Sequence, residues 1–73
     1  MIKDFSEIVR ELRKEKGLTQ KALSESVSCT ERSIRYYEAG ERRPDLDILI
    51  KMAQYFDVSL DYLAGLSEDR QRR

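Results

Sequence analysis

The sequence contains no histidine, a single cysteine (Cys29) and no glycine-rich stretch of the kind that cradles phosphate. Without histidine, and with one thiol, the chain cannot assemble a zinc site of its own or close an internal disulfide. Catalysis built on histidine, alone or paired with cysteine, is excluded as well. No apolar run is long enough to cross a bilayer, and no basic, apolar, small-residue order suggests a signal peptide. Its 73 residues allow one small domain, which buries only a limited fraction of its surface. The expectation is a reduced, soluble, cytoplasmic protein that is not an enzyme. No metal, cofactor, small-molecule ligand or membrane is implied.

Net charge is lacking too, since 14 basic residues balance 14 acidic ones. That balance argues against indiscriminate nucleic-acid binding, so the distribution of charge is more informative than its sum. Residues 19–44 hold Lys21, Arg32, Arg35, Arg42 and Arg43 against Glu25, Glu31, Glu38 and Glu41, a net of +1. Residues 45–66 hold Lys51 against Asp45, Asp47, Asp57 and Asp61, a net of −3. The acidic half is a poor face for DNA.

What the chain does have is helical periodicity, interrupted at short intervals by caps and breakers. Asp4 with Glu7 forms a capping-box start, and Phe5, Ile8, Val9 and Leu12 give the first helix its inward stripe. Gly17 ends it. Thr19 caps a second helix that begins at Gln20, with Leu23 and Val27 inward and Ser24 small enough for a close helix crossing. The pattern breaks at Ser28-Cys29, and Thr30 caps a third helix running to about Ala39, with Ile34 and Tyr37 inward. Gly40 closes that helix, and Pro44 bars helix through Arg43. Asp45 caps a fourth helix, in which Leu46, Leu49, Ile50, Ala53 and Phe56 are assigned to the core. Asp57-Val58 turns the chain, and Ser59 caps a short fifth helix that ends at Gly65 and sends Leu60 and Leu63 inward. Residues 1–66 thus form one all-α, five-helix domain. Residues 67–73, with no apolar side chain, are expected to be a flexible charged tail.

The second and third helices, residues 19–38, are joined by too short a turn to lie side by side. They must cross steeply, which leaves the polar face of the third projecting outward as a helix-turn-helix. Glu31, Arg32 and Tyr36 are the outward candidates for base reading. Arginine can contact guanine O6 and N7 together, and glutamate can accept from cytosine N4. Tyr36 faces out because Ile34 and Tyr37 fix the inward direction. Gln20, beside a helix N-terminus, suits a phosphate contact. Lys21, Thr30, Ser33, Arg35, Arg42 and Arg43 complete a set of candidates for the DNA backbone.

These residues resemble the Cro/phage-repressor type of helix-turn-helix, the XRE-like family of bacterial transcriptional regulators. Four blocks carry the likeness in order and spacing, LRKEKGLTQ, the turn region itself, YEAGERRP and FDVSLDYLAG, and the resemblance spans roughly residues 5–66. The resemblance implies a repressor-like fold, a double-stranded DNA operator as partner and repressor activity. It also implies a structural ion pair between Arg13 and Glu38, tying the first helix to the end of the third. Two positions depart from the family pattern. Ser28 stands where glycine is usual, and a left-handed serine there would cost roughly 1 kcal/mol. Cys29 stands where a valine-like residue is usual and reads as a small hydrophobe.

A monomer of this size reaches one half-site, so a symmetric dimer is expected to double the contacts. Ile48, Met52 and Tyr55 form a second apolar stripe on the fourth helix, which with Tyr62 and Leu66 makes the expected dimer interface. The competing arrangement turns Met52 inward as core. The alternative function, a protein-interaction or antitoxin-like module on the same fold, does not require the outward basic residues.

Overall fold

The computed structural model describes residues 3–71, which form five α-helices. These are α1 (Phe5–Glu15), α2 (Gln20–Ser26), α3 (Glu31–Glu38), α4 (Leu46–Phe56) and α5 (Leu60–Leu63). Each helix starts in the same way. The side chains of Asp4, Thr19, Thr30, Asp45 and Ser59 accept from the N–H groups of Glu7, Ala22, Ser33, Ile48 and Tyr62, at 2.9–3.1 Å. Each cap satisfies one of the donors that a helix start leaves without a partner, a contribution of about 1 kcal/mol apiece.

Each helix also ends in the same way. The amides of Leu18, Cys29, Glu41, Val58 and Leu66 donate to the carbonyls of Arg13, Ser24, Tyr36, Ala53 and Asp61. This closure requires a left-handed residue just before the donor. Those residues are Gly17, Ser28, Gly40, Asp57 and Gly65, the five with positive φ among the described residues. Ser28, at φ +60°, therefore occupies the left-handed conformation in which a serine is strained. Gly65 has a further constraint, because a Cβ there would lie 2.8 Å from the carbonyl oxygen of Lys3.

One core is shared by all five helices. Phe5, Ile8, Val9 and Leu12 of α1 form one cluster with Leu23, Val27, Ile34, Tyr37, Met52, Ala53, Phe56, Val58 and Leu63. Phe5 meets Tyr37 edge to face, with ring centroids 6.0 Å apart. Burying each of the larger side chains stabilises the fold by about 1.5–3 kcal/mol before chain entropy is counted.

The phase of α4 differs from the expected one. Met52 has no exposed surface and belongs to the core, so it cannot meet a partner. Ile48 and Tyr55 flank it, half-buried against the core, and Tyr55 is further covered by Phe56 and by the Lys16 ammonium 5.1 Å from its ring centroid. Leu46, assigned to the core, is 64% exposed, and Leu60 is 41% exposed. Ile50 is half-buried and lines an open groove with Leu60. Leu49, Met52, Ala53 and Phe56 satisfy the helical repeat as well as the stripe beginning at Leu46 does. Only the packing of α4 into the common core decides between them.

The C-terminal segment makes specific contacts as far as Arg70. Its guanidinium forms two hydrogen bonds to the Glu15 carboxylate, at 2.8 and 3.0 Å, and its Nε donates to the Tyr62 hydroxyl at 3.0 Å. Ser59 N–H donates to the Arg70 carbonyl, and Ser59 Oγ donates to that of Asp69. Tyr62 is thus half-buried beneath Arg70, while Leu66 remains 72% exposed. Of the five residues expected at a dimer interface, Leu66 is the only one both exposed and uncovered. The rest of the expected tail, residues 72 and 73, lies outside the described residues.

Candidate nucleic-acid interface

The outward face of α3 rests on a polar network behind it. Arg13 Nε donates to Glu38 Oε2 at 2.6 Å, and its Nη2 donates to Oε1 at 3.0 Å. Its Nη1 donates to the Leu18 carbonyl, at 2.9 Å. Glu38 is buried at the end of α3, so this two-point pairing fixes that end against α1. The hydrogen bonds to Glu38 hold the Arg13 guanidinium charged, raising its pKa above the ordinary arginine value. A third donor completes the network, with Gln20 Nε2 reaching Glu38 Oε1 at 3.2 Å. Among the described residues no buried side-chain polar atom lacks a partner.

The same network positions α2. Gln20 is its first residue, so the bond to Glu38 ties the start of α2 to the end of α3. Ser24 is buried where the helices meet, and its hydroxyl returns to the Lys21 carbonyl at 2.6 Å. Satisfied internally, it gives the crossing a small side chain without an orphaned polar group.

Ile34 and Tyr37 point inward and are buried, which turns Glu31, Arg32 and Arg35 out to water, with Tyr36 half-exposed beside them. Two guanidinium groups approach the Tyr36 ring. Arg32 Cζ is 5.5 Å from the ring centroid and Arg42 Cζ is 4.8 Å from it. Arg32 Nε also donates to the Tyr36 hydroxyl, at 3.1 Å. The chain after α3 folds back over the same residue, since the amides of Glu41 and Arg42 both donate to the Tyr36 carbonyl.

The remaining residues expected to face DNA divide by how engaged they already are. Lys21, Arg35 and Arg43 are exposed and extend from α2, α3 and the loop after α3. The Thr30 hydroxyl accepts from Ser33 N–H and donates to Ser33 Oγ at 2.9 Å, so its hydrogen is used within the cap. Gln20 keeps one amide hydrogen beyond the one given to Glu38. Cys29 is half-buried against the core, and this burial pushes its thiol pKa up. Such a thiol forms little thiolate, which opposes redox chemistry there. The stacking of Arg42 on Tyr36 had no counterpart in the sequence reading, because it depends on the path of the loop rather than on helical spacing.

Comparison with known proteins agrees with this geometry. A family model described as helix-turn-helix matches residues 9–63. The HTH-type transcriptional regulator YobD of Bacillus subtilis is 38% identical over 65 residues, which cover 89% of this chain and 58% of that protein. The chain spans about half the length of the curated relatives it matches. Among solved structures, the P22 c2 repressor protein in complex with synthetic operator 9T has a TM-score of 0.84 at 26% identity, covering 89% of this chain and 98% of that one. A transcriptional regulator from Listeria innocua has a TM-score of 0.81 at 37% identity, covering 89% and 61%. The chain belongs to the XRE-type helix-turn-helix family.

Proposed function

We propose that the chain is a sequence-specific, double-stranded DNA-binding transcriptional regulator, acting in the cytoplasm as a repressor and inserting α3 into the major groove. The observation that carries this reading is the uncovered face of α3. Arg32, Tyr36 and Arg42 are gathered there, while Ile34 and Tyr37 are buried on the opposite side. A helix presented in this way reads base edges with its N-terminal residues, so Glu31 and Arg32 are the base contacts. Gln20, Lys21, Arg35 and Arg43 surround them as backbone contacts.

Selection from a random duplex pool, followed by mobility shifts at several salt concentrations, tests this. A single enriched site is expected. Arg32→Ala should weaken it by about 1–3 kcal/mol, with little change on random DNA. Arg43→Ala should weaken all sequences similarly and reduce the salt dependence, since each arginine–phosphate contact releases counterions. Gln20→Ala should also act uniformly but leave the salt dependence alone. A pool that shows no enrichment contradicts the proposal.

The proposed regulator acts as a homodimer, with two recognition helices about 34 Å apart, one turn of DNA. The surface for it is the outer face of α4 and α5. Leu46 and Ile50 lie one helical turn apart, and Ile50 shares with Leu60 a groove of about 440 Å³. Exposed leucines grouped in this way favour burial against a partner. Sedimentation equilibrium should show self-association that a Leu46→Glu, Leu60→Glu double variant abolishes. A wild type monomeric at high micromolar concentration contradicts it.

A further inference from the structure

We infer that Tyr36 and Arg42 are positioning residues that hold Arg32 ready to read a guanine, rather than independent contacts to base and backbone. The inference rests on the DNA-binding reading above and concerns how specificity is built within it. Three observations converge on it. The Tyr36 hydroxyl accepts from Arg32 Nε at 3.1 Å. Arg42 covers the Tyr36 ring at 4.8 Å, on a loop whose Glu41 and Arg42 amides are bonded to the Tyr36 carbonyl. Arg32 and Arg42 both lie near the Tyr36 ring, so both cations act on one ring.

The donor inventory of arginine explains why this arrangement suits base reading. A guanidinium has one Nε–H and two terminal nitrogens. With Nε–H given to Tyr36, the two terminal nitrogens remain for guanine O6 and N7, the contact that arginine makes in a planar fork. An unrestrained arginine loses rotamer freedom when it docks, and one already held by a hydrogen bond and a ring loses less. Arg42 in turn restrains the ring through cation–π attraction. Arg42 thus acts on Tyr36, Tyr36 acts on Arg32, and Arg32 acts on the base.

The experiment uses the full chain and the duplex enriched by selection, together with variants of that duplex in which each guanine is replaced. Arg32→Ala identifies the guanine concerned, as the one whose replacement no longer matters. Tyr36→Phe keeps the ring and removes the hydroxyl. It should lower discrimination at that same base pair about two- to tenfold, the range of one hydrogen bond. Arg42→Gln should lower it at the same base pair and by a smaller factor, and it should have no such effect once Tyr36 is Ala. Thermal melts and affinity for random DNA confirm that each variant is folded.

Tyr36→Phe with unchanged discrimination, or with its loss at a different base pair, overturns the inference. So does Arg42→Gln if it weakens all sequences alike and reduces only the salt dependence, because Arg42 is then a phosphate contact. A selected site with no guanine that depends on Arg32 overturns it too. A wild type that binds all DNA alike overturns the DNA reading itself, an outcome distinct from the others.

Discussion

Two bidentate ion pairs bind to α1, one from each side of the molecule, and they differ in their surroundings. On the helix-turn-helix side, Arg13 pairs with Glu38, whose side chain is 5% exposed. On the C-terminal side, Arg70 pairs with Glu15, whose side chain is 51% exposed. The first is backed by Gln20 and by the Leu18 carbonyl, and it sets the end of the recognition helix. The second is open to water and holds down a segment beyond the last helix. Removing one member of a buried pair leaves a charge that water cannot reach, whereas an exposed pair is replaced by solvent. The lesson is that similar geometry implies rigidity on one side and a loose fastening on the other.

The sharpest way to break this comparison is to remove the carboxylate from each pair. Glu38→Ala should cost about 3–5 kcal/mol in chemical denaturation, because the Arg13 guanidinium is left uncompensated. Glu15→Ala should cost less than about 1 kcal/mol. Equal losses would mean that burial does not distinguish the two. A smaller effect is expected at the turn between α2 and α3. Ser28→Gly removes the left-handed penalty and should stabilise the chain by roughly 1 kcal/mol, read as a raised Tm. A lowered Tm would show that the serine side chain contributes something there beyond filling a position.

The smallest expected effect is the acid dependence of the exposed pair. The hydrogen bond from Arg70 holds the Glu15 carboxyl below the ordinary glutamate value of 4.5. A depressed carboxyl contributes stability above its unfolded value and loses it as pH falls through the folded value. The wild type should therefore lose its advantage over Glu15→Gln below about pH 4.5, by less than about 1 kcal/mol after solvent screening. An advantage that persists in stronger acid would assign it to something other than this ion pair.

The same division explains what could be read from the sequence. In α3, apolar Ile34 and Tyr37 stand among charged neighbours, so only one orientation buries apolar surface and keeps charge in water. The five N-caps were legible for a related reason, since Asp, Ser and Thr at those positions accept hydrogen bonds locally. In α4, apolar residues occur on more than one side, and the repeat alone did not distinguish Met52 from Leu46. Burial of Met52 is decided by the rest of the core, which periodicity within α4 does not contain. The left-handed residue at Asp57 was also missed, because aspartate signals a turn less directly than glycine does. Arg70 falls within the segment expected to be a flexible charged tail, and its partner Glu15 lies 55 positions earlier, beyond the reach of any local pattern.

The most direct test of the central claim, that DNA meets the helix-turn-helix side alone, is an NMR titration of the chain with its selected duplex. Amide shifts are expected at Gln20, Lys21, Glu31–Tyr36 and Arg42–Arg43. The groups around Arg70 and Glu15, and the outer face of α4, should not respond to DNA at concentrations where the oligomeric state is constant. Shifts centred on α4, α5 or the Arg70 segment, with α3 unchanged, would contradict the account.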